Sequence, residues 1–205
     1  MIISGSRSPG AIRLYRGAAV LFIATLLTGC GVNTIPTYEE QTKAAWSQVE
    51  NQYQRRADLI PNLVETVKGA ATFERETLQA VIEARGKVAQ TTVPSDVLTN
   101  PEAFRAFEQN QAALTSALSR LLVVVERYPD LKANQNFLSL QSQLEGTENR
   151  IAVARRDYID AVRRYNTELR TFPGRLWAMT LYSGSEPMQN FTVVEDVSKA
   201  PTVKF

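Results

Sequence analysis

Charged and amide side chains fall near inward-facing positions of three stretches with helical periodicity. The set is Arg55, Arg56, Asp58, Asn62, Glu126, Glu145, Glu148, Asn149 and Arg150. Paired carboxylates do acid–base chemistry when the pKa of one of them is raised, but neighbouring arginines favour the ionised form of each carboxylate. We therefore prefer a structural polar network that fixes helix register, since buried charges must be paired to be tolerated. A functional site built on the same residues is the alternative.

The residue types that are missing narrow the chemistry further. The sequence contains no histidine and one cysteine, Cys30. This excludes imidazole bases, Ser-His and Cys-His pairs, His-ligated zinc and the Glu-x-x-His iron sites of helical bundles. A lone cysteine also excludes an intrachain disulfide. We expect no catalytic residue, no metal and no cofactor, and the lack of phosphate-binding loops and dense basic patches predicts no nucleic-acid partner.

The N-terminus has a targeting pattern. Arg7, Arg13 and Arg16 precede a short apolar run, residues 17–27, which closes with Leu27-Thr28-Gly29-Cys30. A run of about ten apolar residues is too short to span a bilayer. The closing residues resemble a bacterial lipobox, so we predict a signal peptide at 1–29 and a lipid on Cys30. An uncleaved signal anchor is the alternative.

Removal of residues 1–29 would change the charge balance. Three of the 23 Lys and Arg residues and none of the 21 Asp and Glu residues lie there, which leaves 20 − 21 = −1. The sequence pI of about 8.7 therefore reflects mainly the predicted signal peptide. We expect a lipid-anchored protein of the bacterial envelope that faces the periplasm. Because Gly31 and not Asp follows Cys30, the outer membrane is mildly preferred over the inner one.

The rest of the chain predicts long amphipathic helices. Thr37 to Glu40 fits a capping box, and apolar positions then recur at helical spacing to about Gln90. Pro61 lies inside this pattern. Its ring should free the carbonyl of residue 57 and bend the helix, which would let Arg56, Asp58 and Asn62 meet the stretch 145–150. Arg56 itself occupies an inward slot and should contact Glu145 or Glu148 if the helices are antiparallel.

Two further helices complete the pattern. Asn100-Pro101 caps a helix that stops before Pro129, and the last helix continues to Phe172, before Pro173-Gly174. The fold class is therefore all-α, an antiparallel up-and-down bundle of three to four long helices. We divide the chain into the signal peptide, a linker at 30–37, the bundle at 38–173 and a docked or extended tail at 174–205. Aromatic residues at core spacing should fill the interior; they are Trp46, Tyr53, Phe104, Phe107, Tyr158 and Tyr165.

Several stretches together resemble the LemA family. They are Tyr53 to Val64, Val67 to Gly69, Tyr128 to Asn134, Leu144 to Ile151, Tyr165-Asn166, Phe172-Pro173 and Pro201 to Phe205. The resemblance implies a helical bundle held at a bacterial envelope membrane by an N-terminal hydrophobic segment, and it implies no catalytic residues. Two features depart from the family: a lipobox replaces the usual membrane helix, and Tyr158-Ile159-Asp160 stands where a Tyr-Asn pair is usual.

These observations lead to one preferred function and two alternatives. We expect a non-catalytic, lipid-anchored scaffold or adaptor that binds an envelope protein, with a role in envelope stress or quality control as a weaker, associational expectation. A carboxylate-dependent envelope enzyme would use Glu145 or Glu148. An apolar-ligand carrier would open its bundle around Trp46 and Phe104.

Overall fold

A computed structural model describes residues 31–69, 74–90, 94 and 96–191. The predicted signal peptide, Cys30 and the last stretch of the resemblance, 201–205, lie outside these residues. The described residues form helices and no strands, which confirms the all-α prediction. The helices are α1 (Thr34–Lys68), α2 (Arg75–Gln90), α3 (Pro101–Val125), α4 (Pro129–Lys132), α5 (Gln135–Glu168) and α6 (Gly174–Thr180).

Helices α1 and α5 form a long antiparallel pair. Near one end the rings of Trp46 and Tyr158 lie 5.3 Å apart, and farther along α1 Arg56 meets Glu148. Helix α3 runs in the direction of α1, because Trp46 touches Phe104 and Arg56 reaches Gln111. Helix α2 packs between them in the opposite direction, and the single turn of α4 reverses the chain into α5. The predicted antiparallel bundle is confirmed.

The helix termini test the capping predictions. Asn100 caps α3 as predicted, since its side chain accepts hydrogen bonds from the N–H groups of Glu102 and Ala103. The capping box at Thr37 is wrong: α1 begins at Thr34, and the Thr37 hydroxyl donates to the Asn33 carbonyl at 2.7 Å. The predicted linker therefore ends earlier than residue 37. The extra turn buries Ile35 completely, and burial of an Ile side chain gains about 1.5–3 kcal/mol, more than a typical cap.

The buried side chains form two clusters along the bundle. The first is aromatic and contains Trp46, Tyr53, Phe104, Phe107, Tyr158, Tyr165 and Phe191. The second is aliphatic and includes Ile60, Leu63, Val67, Leu114, Leu121 and Leu144. All six aromatic residues predicted for the core are buried. Helix α2 covers the aliphatic cluster, and the chain after α6 covers the aromatic one.

The chain after α6 docks through polar contacts to backbone. The Asn166 side chain donates to the Met188 carbonyl at 2.8 Å and accepts from the Met188 N–H at 2.9 Å. The Tyr158 hydroxyl donates to the Gln189 carbonyl at 2.8 Å, and burial raises the pKa of Tyr158, so the phenol stays protonated and remains a donor. These contacts hold Met188 and Phe191 over the aromatic cluster.

Candidate functional site: the Arg56 network and the surface beside it

Arg56 lies where the aromatic and aliphatic clusters meet. Tyr53, one turn earlier on α1, belongs to the aromatic cluster, and Ile60, one turn later, belongs to the aliphatic one. The Arg56 side chain is only 1% exposed. A charged group this deeply buried requires partners for its donors.

Three side chains from two other helices supply those partners. Nη1 donates to Glu148 Oε1 at 2.6 Å and to Thr115 Oγ1 at 2.8 Å, and Nη2 donates to Gln111 Oε1 at 2.7 Å. The guanidinium carbon also lies 5.1 Å from the centre of the Tyr53 ring, within range of a cation–π interaction. Within the described residues, Arg56 Nε has no hydrogen-bond partner. The network joins α1, α3 and α5 in one layer.

The predicted meeting of Arg56 with Glu148 is thus confirmed, and the two residues are unequally buried. The Glu148 side chain is 43% exposed, so water reaches the carboxylate but not the guanidinium. Glu148 stabilises the buried charge while keeping part of its own hydration. The sequence did not single out Gln111 and Thr115 as partners of Arg56, although Gln111 occupies an inward-facing position in the apolar pattern of its helix.

The carbonyl of residue 57 is freed from its usual helical donor as predicted, and it takes a partner that the sequence did not indicate. Helix α1 continues through Pro61, which has no N–H to donate to the carbonyl of Ala57. Arg85 of α2 supplies the missing donor, because its Nε lies 3.2 Å from that carbonyl oxygen. Pro61 therefore creates a hydrogen bond between α1 and α2, next to the Arg56 layer.

Asp58 and Asn62 do not meet the 145–150 stretch, so that part of the prediction is wrong. Both are exposed, and Asp58 accepts a hydrogen bond from Gln54 at 2.7 Å. The helix turns by about 100° per residue. Asp58 therefore lies about 200° round α1 from Arg56, on the solvent side. Arg55 is exposed for the same reason.

The remaining predicted residues also lie outside the Arg56 network. Glu126 ends α3 and pairs with Lys132. Glu145 accepts a hydrogen bond from Gln141 at 3.0 Å and is exposed. Asn149 and Arg150 follow Glu148 on α5 and point to the surface. Of the nine predicted residues, the structure brings Arg56 and Glu148 together and leaves the others near the surface.

Asn149 and Arg150 line a surface groove of about 350 Å³ between α1 and α5. We call it the α1–α5 groove; its lining residues are Gln48, Gln52, Asn149, Arg150, Val153, Ala154 and Asp157. Val153 is 47% exposed. The Oε1 atom of Gln52 is enclosed and, within the described residues, has no hydrogen-bond partner. The groove combines an exposed apolar side chain with several amide and charged groups.

A second cleft, of about 230 Å³, contains a carboxylate that the sequence analysis missed. Glu50 lines it together with residues of α2 and α3, including Val88, Asn110 and Gln111. Burial raises the pKa of Glu50, and a hydrogen bond from Trp46 opposes this shift. The signal in the sequence was weak, because Glu50 lies beside the apolar stripe of α1 rather than in it.

The described residues contain neither a cluster of metal-ligand side chains nor a membrane-spanning helix. No group of three or more acidic, histidine or cysteine side chains in this part of the chain lies close enough together to hold a metal ion. Among the described helices, none combines the length and the hydrophobicity needed to cross a bilayer.

The described residues define an all-helical antiparallel bundle with a buried arginine layer. The LemA family model matches residues 45–205. The chain therefore belongs to the LemA family, as the sequence motifs indicated. Family membership points to an envelope-associated protein.

Curated relatives agree with this assignment. The chain is 28% identical to Magnetosome protein MamQ 2 of Paramagnetospirillum magneticum over 172 residues, which is 76% of this chain and 62% of that protein. It is 25% identical to MamQ of Magnetospirillum gryphiswaldense over 190 residues, 83% of this chain and 69% of the relative. Protein LemA of Metamycoplasma hominis is 24% identical over 140 residues, 68% of this chain and 60% of the relative. The match thus spans less than two thirds of MamQ 2, and the names of these relatives describe no reaction.

Proposed function

We propose that this chain is a non-catalytic, lipid-anchored scaffold or adaptor of the bacterial cell envelope, and that it binds a protein partner through the α1–α5 groove. The observation that carries the proposal is the groove itself. It lies on the two longest helices, and it contains Asn149 and Arg150, two of the residues that the sequence pattern singled out.

The composition of the groove suits a protein partner. Val153 offers a half-exposed apolar contact, while Arg150 and Asp157 provide opposite charges on the same helix. An enclosed amide oxygen without a donor costs roughly 1–3 kcal/mol, so rotation of the Gln52 amide toward a donor on the partner would add to the binding free energy. An apolar anchor surrounded by polar groups is the usual arrangement of a protein interface.

A structural role for Arg56 and Glu148 supports the non-catalytic part of the proposal. Glu148 accepts a 2.6 Å hydrogen bond from a buried guanidinium, so its carboxylate already serves to compensate a buried charge of the bundle. Glu145 lies one turn away and is already bonded to Gln141. The enzyme hypothesis would gain support if an activity screen found turnover that is lost in Glu148→Gln while the fold is intact.

The carrier hypothesis has less support from the packing. The rings around Trp46 are in mutual contact, and Phe191 lies 6.1 Å from Trp46 and 5.1 Å from Phe104. A ligand would have to displace Phe191 and the docked chain. Native mass spectrometry that shows a co-purified lipid would favour this alternative.

The partner test is a pull-down from detergent-solubilised membranes. The chain should recover a reproducible envelope protein, and Val153→Arg should lose it, because a charge would then occupy the apolar contact. Val123→Arg is the matched control, since Val123 is 70% exposed on α3 and lies away from the groove. Equal recovery by both variants, or no reproducible partner with the wild-type chain, would contradict the proposal.

The anchor is tested separately by membrane fractionation. Cys30→Ala should move the protein out of the membrane fraction or leave an uncleaved precursor, whereas Val153→Arg should fractionate like the wild type. Separation of inner and outer membranes would then test the mild preference for the outer membrane. A Cys30→Ala variant with wild-type processing and distribution would refute lipid anchoring.

A further inference from the structure

An exposed apolar surface lies at α6, away from the groove and the Arg56 layer. Phe172 is 79% exposed, Leu176 47%, Met179 70% and Leu181 62%. Leu176 and Met179 are three residues apart and share one face of α6. Phe172 and Leu181 flank the helix at its two ends. We call these four residues the α6 surface.

The opposite side of α6 is fixed to the protein. Trp177, Ala178 and Tyr182 pack on the aromatic cluster. Gly174, the first residue of the helix, is so close to the end of α5 that an added Cβ would lie 2.3 Å from the carbonyl oxygen of Glu168. The helix cannot turn its apolar side inward without losing these contacts, so the α6 surface is held outward.

The start of the described chain lies against this helix. A Cβ built at Gly31 would be 3.5 Å from Cγ of Pro173, the residue that precedes α6. Cys30, the proposed lipid carrier, immediately precedes Gly31 in the sequence, and consecutive Cα atoms are about 3.8 Å apart. A lipid on Cys30 would therefore enter the bilayer beside α6.

The charges around the surface also fit a membrane. Arg170 and Arg175 are exposed in the turn before α6 and in its first turn. Apolar side chains next to exposed arginines are typical of elements that lie in the interface of a bilayer with anionic lipids. One acidic side chain, Glu168, lies on the same turn but is partly buried.

We propose that the α6 surface inserts into the interfacial region of the membrane leaflet that holds the lipid on Cys30, and that it is a second attachment point beside this anchor. This inference rests on the proposed anchoring at Cys30. One lipid on a short linker would let the bundle pivot, whereas a second contact fixes its orientation. A fixed orientation would present the α1–α5 groove on a defined side of the anchored protein.

The test uses the full chain isolated from bacterial membranes and placed in vesicles of phosphatidylcholine and phosphatidylglycerol. Met179→Cys is labelled with a fluorescent thiol probe, and quenching by bromine-labelled phosphatidylcholine reports direct contact with acyl chains. Val123→Cys is the control, because α3 runs parallel to α1 and places residue 123 at the end of the bundle remote from Gly31. We expect at least about threefold more quenching at position 179 than at position 123.

The outcomes separate this proposal from the anchor. Equal, weak quenching at both positions in vesicle-bound protein would overturn the α6 contact and leave the anchor standing. A probe at 179 that is shielded from water but not quenched by bromolipid would show that protein covers the surface, either a second copy or residues 192–205, and would also overturn it. Labelling of the unsubstituted chain would show that Cys30 is free and would contradict the anchor. In that case, the quenching of the labelled Met179→Cys variant minus that of the labelled unsubstituted chain would still show whether α6 contacts the acyl chains.

Discussion

Removal of the Glu148 carboxylate tests whether the Arg56 network holds the bundle together. In Glu148→Ala the buried guanidinium loses a 2.6 Å charge-assisted hydrogen bond. Breaking a fully buried pair costs about 3–5 kcal/mol, whereas an exposed pair contributes about 0–1 kcal/mol. This pair lies between those limits, because Arg56 is 1% exposed and the Glu148 side chain 43%. We expect a loss of about 2 kcal/mol in the free energy of unfolding, since water can partly replace the carboxylate.

The assay is urea unfolding followed by far-UV circular dichroism, with linear extrapolation to water. The loss should also lower Tm by about 4–8 °C for a domain of this size. Glu145→Ala is the control, because this exposed residue lies on the same helix and accepts a hydrogen bond from Gln141 of its own helix. It should change the free energy of unfolding by less than about 0.5 kcal/mol. Equal stability of Glu148→Ala and Glu145→Ala would refute the reasoning.

A double-mutant cycle extends the same test to α3. Arg56→Met leaves the buried Gln111 amide without its donor, and Gln111→Leu leaves Nη2 of the guanidinium without its side-chain acceptor, so each single change should cost about 1–3 kcal/mol. The double variant removes both groups and should be more stable than the sum of the single changes predicts, by at least about 1 kcal/mol. Additive effects would show that the two side chains do not depend on each other.

Three other changes test separate contacts. Gly174→Ala should destabilise the fold, measured as a lower Tm, because its Cβ would lie 2.3 Å from the carbonyl oxygen of Glu168. Asn166→Ala removes both hydrogen bonds to the Met188 backbone and should speed limited proteolysis after α6 while far-UV circular dichroism stays close to wild type. Glu50→Gln should stabilise the protein at neutral pH in urea titrations. Burial raises the Glu50 pKa, so the cost of ionising it in the folded state appears as the pH rises through the folded pKa and is absent below the unfolded value, where variant and wild type should converge.

Each of these predictions has a clear contrary result. Wild-type Tm in Gly174→Ala would mean that the end of α5 yields to a side chain. Unchanged proteolysis of Asn166→Ala would show that apolar packing alone holds the docked segment. A Glu50→Gln variant whose stability difference from wild type does not vary with pH would show that folding does not raise the pKa of that carboxylate.

The sequence predicted the helices well because their apolar stripes are regular. The Asn100-Pro101 cap and the stop before Pro129 were visible as residue types, and both are present in the structure. The capping box at Thr37 was predicted wrongly because burial of Ile35 in the assembled bundle decides where the helix begins. This burial is a tertiary contact that the local sequence does not show. Local chemistry at a helix end is worth about 1 kcal/mol, and packing can override it.

The Arg56 site was predictable only in part. A single arginine in an apolar stripe predicts a buried partner, and antiparallel topology placed Glu148 within reach. The exact rotation of each helix decides which polar neighbours face inward, and this excluded Asp58 and Asn62. The Arg85 bond to the Ala57 carbonyl depends on how α2 packs against α1, so Pro61 predicted a free acceptor but not its donor.

Site-specific photo-cross-linking in intact cells tests the proposed scaffold function most directly. A photoreactive residue at position 153, in the α1–α5 groove, should form a cross-link to one reproducible envelope protein, identified by mass spectrometry. The same residue at position 123, on α3, should not. Absence of a specific cross-link at 153, or the same products from both positions, would contradict the proposal that this groove binds a protein partner.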